Sequence, residues 1–262
     1  MENCGAYLDT MRRTAPLVQC ITNFVAMNVM ANVLLAAGAS PAMVHDAEES
    51  AEFAGIAHVL TINMGTPSPR WIEGMVAAAE GAAAAGRPWV LDPVAVGATA
   101  FRRDLGARLL ALKPAVIRGN ASEILALAGA GARGKGADSA DPVAAAEDGA
   151  RRLAASSGAV VAVTGPVDFV TDGVRAFRCA NGHALMPKVT ALGCSLTGIV
   201  GAFVSGQPRL EATVAALAFF GLAGERAAHG AEGPGSFQVR FLDALHGLTA
   251  ADLDRGARVE AA

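Results

Sequence analysis

Residues 115–123 read Ala115-Val116-Ile117-Arg118-Gly119-Asn120-Ala121-Ser122-Glu123. Three apolar residues, two of them the β-branched Val116 and Ile117, predict a short buried strand over 115–117. Arg118-Gly119 then forms a polar strand mouth, and Asn120-x-x-Glu123 has the spacing of a helix-start capping box. One stretch therefore specifies a strand, a turn carrying chemistry, and a helix. The same grammar recurs along the chain. Predicted strands at 18–21, 42–44, 58–62, 89–91 and 159–163 alternate with predicted helices at 23–37, 47–54, 69–85, 100–111, 123–128 and 142–156. That alternation is the signature of βαβ units with a largely parallel sheet. Several strands lack apolar/polar alternation, as strands covered on both faces do.

Beyond Thr164 the pattern changes. Runs 168–171 and 174–178 flank Asp172-Gly173, a type I′ hairpin signal. From Gly193 onward the chain reads as helices at 194–204, 210–228, 236–246 and 250–255. No linker divides the sequence, so one domain over residues 1–262 is expected. The glycine-rich run 129–136 reads as a mobile loop beside a site.

Polar residues follow five predicted strands: Asn23, Asn63-Met64-Gly65-Thr66, Asp92-Pro93, Arg118-Gly119-Asn120 and Thr164-Gly165. In an open parallel sheet, ligands bind outside the carboxyl ends of the strands. A sixth element faces the same chemistry. Thr190-Ala191-Leu192-Gly193-Cys194-Ser195-Leu196-Thr197 is a small-residue turn opening into an uncharged helix. Unpaired N–H groups at such a start, at Ala191, Leu192 and Gly193, suit an anion such as a phosphoryl group. Cys194 sits in the first turn, where a helix N-terminus is expected to lower a thiol pKa. Its bland reading is a small buried hydrophobe.

The other residues also carry two readings each. Asp92 is either a carboxylate near Mg²⁺ or an acceptor for turn amides. Glu123 caps a helix, holds a metal-bound water, or does both. Arg118 is either a planar clamp on phosphate oxygens or a surface ion-pair partner. Thr164 contacts nucleotide or simply closes a turn. Walker A, zinc-ligand and G-x-S-x-G patterns are missing, and the five histidines are scattered.

Composition narrows the class. The 262 residues are 53% hydrophobic with 30 glycines, and carry 21 Lys plus Arg against 24 Asp plus Glu. The net charge of -3 and the lack of a basic stripe argue against a nucleic-acid partner. Arg12-Arg13, Arg102-Arg103 and Arg151-Arg152 read as solvated helix faces. Uncharged stretches 21–44 and 189–208 are long enough to span a bilayer, yet their Asn, Ser, Thr and Gly content favours buried helices, so no membrane partner is expected. Four cysteines without paired spacing fit reduced thiols and a cytoplasmic location, and residues 1–5 show no secretory leader.

Nearly the whole chain resembles the hydroxyethylthiazole kinase family of the ribokinase-like superfamily. The resemblance rests on Pro16-Leu17-Val18-Gln19-Cys20-Ile21-Thr22-Asn23, Gly38-Ala39-Ser40-Pro41-Ala42-Met43 and Leu91-Asp92-Pro93-Val94-Ala95-Val96-Gly97-Ala98, in order. It continues through Ile117–Glu123, Val163-Thr164-Gly165, the Cys194 turn and Gly233-Pro234-Gly235-Ser236-Phe237. The resemblance implies a ribokinase-like three-layer α/β fold with a mostly parallel central sheet flanked by helices. It implies transfer of the ATP γ-phosphoryl to 4-methyl-5-(2-hydroxyethyl)thiazole in thiamine salvage, with Mg²⁺ as cofactor, by a homotrimer whose sites lie between subunits. By position, Arg118 and Thr164 would bind ATP, and Met43 and the Ala191 amide would bind the thiazole, with Asn23 and Gly65 near it. Asp92 and Glu123 would attend Mg²⁺, and Cys194 would stand where most relatives carry an Asp base.

One departure is visible. The family's turn commonly reads Gly-x-Gly-Cys, and here it is Ala191-Leu192-Gly193-Cys194. Binding through the Ala191 amide is expected to survive if its φ is negative. Two other functions remain open from the sequence. One is a nucleotide-dependent dehydratase of hydrated nicotinamide nucleotides on the same fold. The other is an inactive nucleotide- or thiazole-binding protein.

Overall fold

Strand residues alternate between two separate apolar cores, and this decides the architecture. The computed structural model describes residues 3–130 and 142–262. The described strands are β1 (Leu17–Ile21), β2 (Ser40–Ala42), β3 (Val59–Asn63), β4 (Trp89–Asp92), β5 (Val116–Asn120), β6 (Val160–Thr164), β7 (Asp168–Thr171), β8 (Ala176–Cys179) and β9 (Val259–Ala261). They form one sheet in the order β2-β1-β3-β4-β5-β6-β7-β8-β9. Pairing is parallel from β2 through β6 and antiparallel from β6 to β9.

Val59, Val90, Val116 and Val160 point into one core, with helices α1 (Cys4–Thr14), α2 (Met27–Ala37), α8 (Leu192–Val204), α9 (Arg209–Ala228), α10 (Pro234–Gly247) and α11 (Ala250–Gly256). Leu60, Ile62, Leu91, Ile117 and Val161 point into the other. There they meet α3 (Ser50–Ile56), α4 (Pro69–Ala84), α5 (Ala100–Ala111), α6 (Ala121–Ala130) and α7 (Pro142–Ser157). Both faces are covered, which is why the strands read as continuous apolar runs. The three-layer α/β expectation holds.

Local chemistry sets the helix starts. Ser68 and Thr99 accept the backbone N–H of Trp71 and Arg102, capping α4 and α5. Asn120 Oδ1 accepts from Glu123 N–H at 3.0 Å while Glu123 Oε2 accepts from Asn120 N–H at 2.9 Å, so the predicted box forms.

Several sequence expectations need adjustment. Strand β2 covers Ser40–Ala42 rather than 42–44; it lies at the sheet edge, where Pro41 costs no ladder donor. Strand β5 runs on through Asn120, so Arg118 lies within it and pairs with Ala162. The hairpin forms, but not through a type I′ turn. The Asp172 carboxylate accepts the Val174 and Arg175 N–H groups, widening the loop, and in it only Gly173 takes positive φ. Helix α1 and strand β9 carried no recognised signal. Of the glycine-rich run, 129–130 end α6, and 131–136 lie outside the described residues.

The arginine pairs also differ from expectation. Arg12 donates to the carbonyls of Ala37, Leu245 and Leu248, and burial lowers its pKa. Arg102 likewise donates to three carbonyls. Both replace water with backbone acceptors. Among the described residues, no helix is long and apolar enough to cross a membrane.

Candidate functional site

The sheet order reverses between β1 and β3: β2 lies to one side of β1, and all later strands lie to the other. Such a switch point opens a crevice at the carboxyl strand ends. Asn23 follows β1, Asn63 ends β3, Asp92 ends β4 and Thr164 ends β6.

These groups form one hydrogen-bonded chain. Asn23 Nδ2 donates to Asn63 Oδ1 at 2.8 Å and to Cys194 Sγ at 3.3 Å. Asn63 Nδ2 donates to Asp92 Oδ2 at 2.7 Å, and Thr197 Oγ1 donates to the same oxygen at 2.7 Å. Arg118 Nη1 stands 3.5 Å from it. Asp92 is almost wholly buried. Burial pushes its pKa up to about 6, opposed by Arg118, Thr197 and Asn63, while the charge of Glu123 adds to the rise. Its second oxygen, Oδ1, is buried with no partner.

Arg118 joins this chain to the other face. Its guanidinium donates to the Gly193 carbonyl at 2.9 Å and to Thr164 Oγ1 at 2.7 Å. Helix α8 begins at Ala191 without a side-chain cap, so no side chain occupies its first-turn N–H groups. The strand mouths and the amide crown therefore face each other.

Two expectations about this turn are corrected. Ala191 has φ +64° and ψ 0°, the left-handed conformation, so the negative φ on which binding through its amide was made to depend is not met. This is the conformation glycine adopts without a Cβ penalty, so alanine there carries backbone strain. The Cys194 thiol pKa is raised, not lowered. Burial is the largest cause and the Asp92 charge the next, together outweighing Asn23, Asn63 and Arg118.

A cavity of about 730 Å³ opens beside the turn. Arg118, Thr164, Gly165, Asp168, His183 and residues 189–193 belong to its wall, together with the apolar Leu217 and Phe220. Arg118, Thr164, Ala191, Leu192 and Gly193 thus share one cavity. Asn23, Met43, Gly65, Asp92, Glu123 and Cys194 do not line it; Asn23, Gly65, Asp92 and Cys194 lie across the hydrogen-bonded chain instead. A Cβ on Gly65 would come within 2.6 Å of Asn23 Nδ2, so glycine there permits the close approach. Met43 directly follows β2 and packs partly against the core.

Among the described residues, no three His, Cys, Asp or Glu side chains cluster as a self-sufficient metal site. Magnesium needs none, since it usually takes one or two carboxylates and fills the rest with phosphate oxygens and water. The unpartnered Asp92 Oδ1 fits one such ligand. Glu123 is already engaged, with Oε1 accepting Ala95 N–H at 2.9 Å and Oε2 accepting Asn120 N–H, so it fits a water-mediated role.

The sequence did not single out Asn63, Thr197 or Asp168 as site residues. Asn63 belonged to a recognised strand-end cluster, and that was its only signal. Thr197 reads as an ordinary helix residue. Asp168 accepts the Gly165 N–H at 2.9 Å, and burial pushes its pKa up to about 6; it reads simply as a strand start.

A family model described as the Hydroxyethylthiazole kinase family matches residues 8–251. The chain is 84% identical over its full length to all of a hydroxyethylthiazole kinase of Cereibacter sphaeroides. It is 67% identical to one of Rhizobium leguminosarum, across 98% of this chain and 97% of that one. The solved hydroxyethylthiazole kinase structure from Pyrococcus horikoshii superposes with a TM-score of 0.92 at 40% identity, covering 99% and 98% of the two chains. A Staphylococcus aureus pyridoxal kinase with ADP superposes at 0.60 and 18% identity, covering 80% and 88%, a likeness of fold alone.

Proposed function

The chain belongs to the hydroxyethylthiazole kinase family, and from that premise we propose how its residues carry out the reaction. It is a kinase that phosphorylates the hydroxyl of hydroxyethylthiazole in thiamine salvage, with ATP as co-substrate. The nucleotide enters the 730 Å³ cavity with its phosphates toward Arg118 and Thr164. The observation that carries this reading is Arg118, bonded at once to Thr164 and to Gly193 at the uncapped start of α8. A phosphoryl group there meets a guanidinium, a hydroxyl and helix N-terminal amides together.

Asp92, with Glu123 through water, would hold Mg²⁺, which would supply positive charge to neutralise the phosphates. The acceptor alcohol lies on the other side, against Met43, Asn23 and Gly65. Its oxygen attacks the γ-phosphorus as the bond to the ADP oxygen breaks, and its proton passes to the Cys194 thiolate, giving the thiol. The raised thiol pKa leaves little thiolate at neutral pH. Base assistance is therefore weak, and alignment with charge stabilisation provides most of the acceleration.

We also propose a homotrimer, with the whole chain acting as one catalytic unit in the cytoplasm. Support comes from the acceptor side. Phe24 and Val25, next to Asn23, are 66% and 59% exposed, and a second copy would cover them. The four cysteines are free thiols, in keeping with a reducing compartment. The decisive assay combines ATP, Mg²⁺ and a panel of small alcohols, with products identified by mass. Phosphorylated hydroxyethylthiazole is expected, and its absence overturns the reading.

A further inference from the structure

Arg102 occupies the third position of α5, where its N–H donates to the capping Thr99 Oγ1 at 3.2 Å. A cation in the first turn opposes the helix dipole, so helix formation does not explain it. Its guanidinium does. Nη1 donates to the carbonyls of Met64 at 2.7 Å and Val94 at 3.0 Å, and Nη2 to that of Gly65 at 2.8 Å. One side chain thus ties together the loops that follow β3 and β4.

Those loops lead directly to the reacting edge. Gly65 N–H donates to Asn63 Oδ1 at 2.9 Å, and only the lack of a Cβ at Gly65 leaves room for the Asn23 side chain. Asn23 in turn donates to Cys194 Sγ. Asp92 immediately precedes the Val94 loop, and its carbonyl accepts the Met64 N–H at 3.1 Å. None of these bonds reaches the wall of the large cavity.

We propose that Arg102 is a positioning residue for the acceptor alcohol: its fork fixes Gly65 and Asn63, and through them the Asn23–Cys194 contact. The proposal rests on the reading that Asn23, Gly65 and Cys194 face the acceptor. A lysine keeps the charge and loses the fork, so it cannot hold three carbonyls in one plane. The neighbouring Arg103 makes one exposed bond, to the Gly97 carbonyl, and serves as the control.

The experiment measures steady-state kinetics for both substrates in Arg102→Lys, Arg102→Ala and Arg103→Ala, with thermal unfolding alongside. Displacements of about 1 Å at a reacting pair cost up to about 100-fold. Arg102→Lys is expected to raise KM for the thiazole alcohol by about 10-fold, and Arg102→Ala to lower kcat/KM for it by about 100-fold, both with the KM for ATP unchanged. Arg103→Ala should match the parent. Unaltered kinetics in both Arg102 variants, or an equal rise in both KM values that follows lost thermal stability, overturns the proposal.

A second arm needs no turnover: alkylation of Cys194 by iodoacetamide, read by peptide mass. Its rate should change several-fold in Arg102→Lys as the Asn23 contact is released, and an unchanged rate counts against the proposal. A parent enzyme that makes no phosphorylated thiazole would sink the functional reading, while the alkylation arm would still judge Arg102.

Discussion

Arg118 on β5 donates to the carbonyl of Gly193 on α8 across 2.9 Å, though 75 positions separate them in sequence. The same guanidinium also lies against Asp92 and Thr164, so it meets the strand mouths and the helix start together. Arg118→Ala should raise the KM for ATP or lower kcat, with kcat/KM falling by roughly 100-fold, the cost of one preorganised charge-stabilising donor. Arg118→Lys should recover only part, because one ammonium cannot reproduce the fork. Steady-state kinetics with varied ATP decide this, and wild-type constants would remove Arg118 from the site.

Cys194→Asp should retain or raise turnover, since a carboxylate is the better proton acceptor at neutral pH. The sign of the pH dependence follows from the raised thiol pKa. If thiolate is the base, the parent kcat climbs with pH into and beyond the ordinary thiol range. In the Asp variant that rise moves to lower pH. A pH–rate profile is the check, and near-total loss of turnover in the variant would contradict the base assignment.

Ala191 holds φ +64° at the head of α8. Glycine takes this conformation without a Cβ penalty, although it also loses more entropy on folding. Ala191→Gly should therefore stabilise the protein by about 1 kcal/mol or less, seen as a rise in the urea midpoint at unchanged slope. Loss of stability would mean that the backbone strain is smaller than the added chain entropy.

Asp168 is held by the Gly165 N–H but buried, and its carboxyl is pushed from 3.8 up to about 6. A folded pKa above the unfolded one means the folded state binds the proton more tightly. The contribution of Asp168 is thus most favourable below about pH 3.8, declines as pH rises to about 6, and is constant beyond. Asp168→Asn keeps an acceptor for Gly165 and removes the titration. Denaturant unfolding from pH 4 to 8 should show the variant gaining on the parent as pH rises through that window. A constant difference between the two would contradict the shift.

Much was decided locally. Strand–helix alternation follows from side-chain shape and burial, and the Asn120–Glu123 box is a four-residue geometry that a sequence displays directly. Strand-end polarity likewise placed Asn23, Asp92, Arg118 and Thr164 along one edge, because a parallel sheet sends all its carboxyl ends there. Residues whose partners lie far along the chain left no such trace. Thr197 reaches Asp92 across 105 positions, and Arg102 finds carbonyls on loops 8 to 38 positions away.

The sequence by itself determined the order of elements, the two-sided apolar strands, and the residue types present at the strand mouths. Only the tertiary structure decided the electrostatics at those mouths. Packing α8 against β3 and β4 buries Cys194 near the Asp92 charge, and this reverses the effect expected from the helix N-terminus. Desolvation and charge proximity are properties of three-dimensional neighbours, whereas periodicity and capping are properties of sequence neighbours.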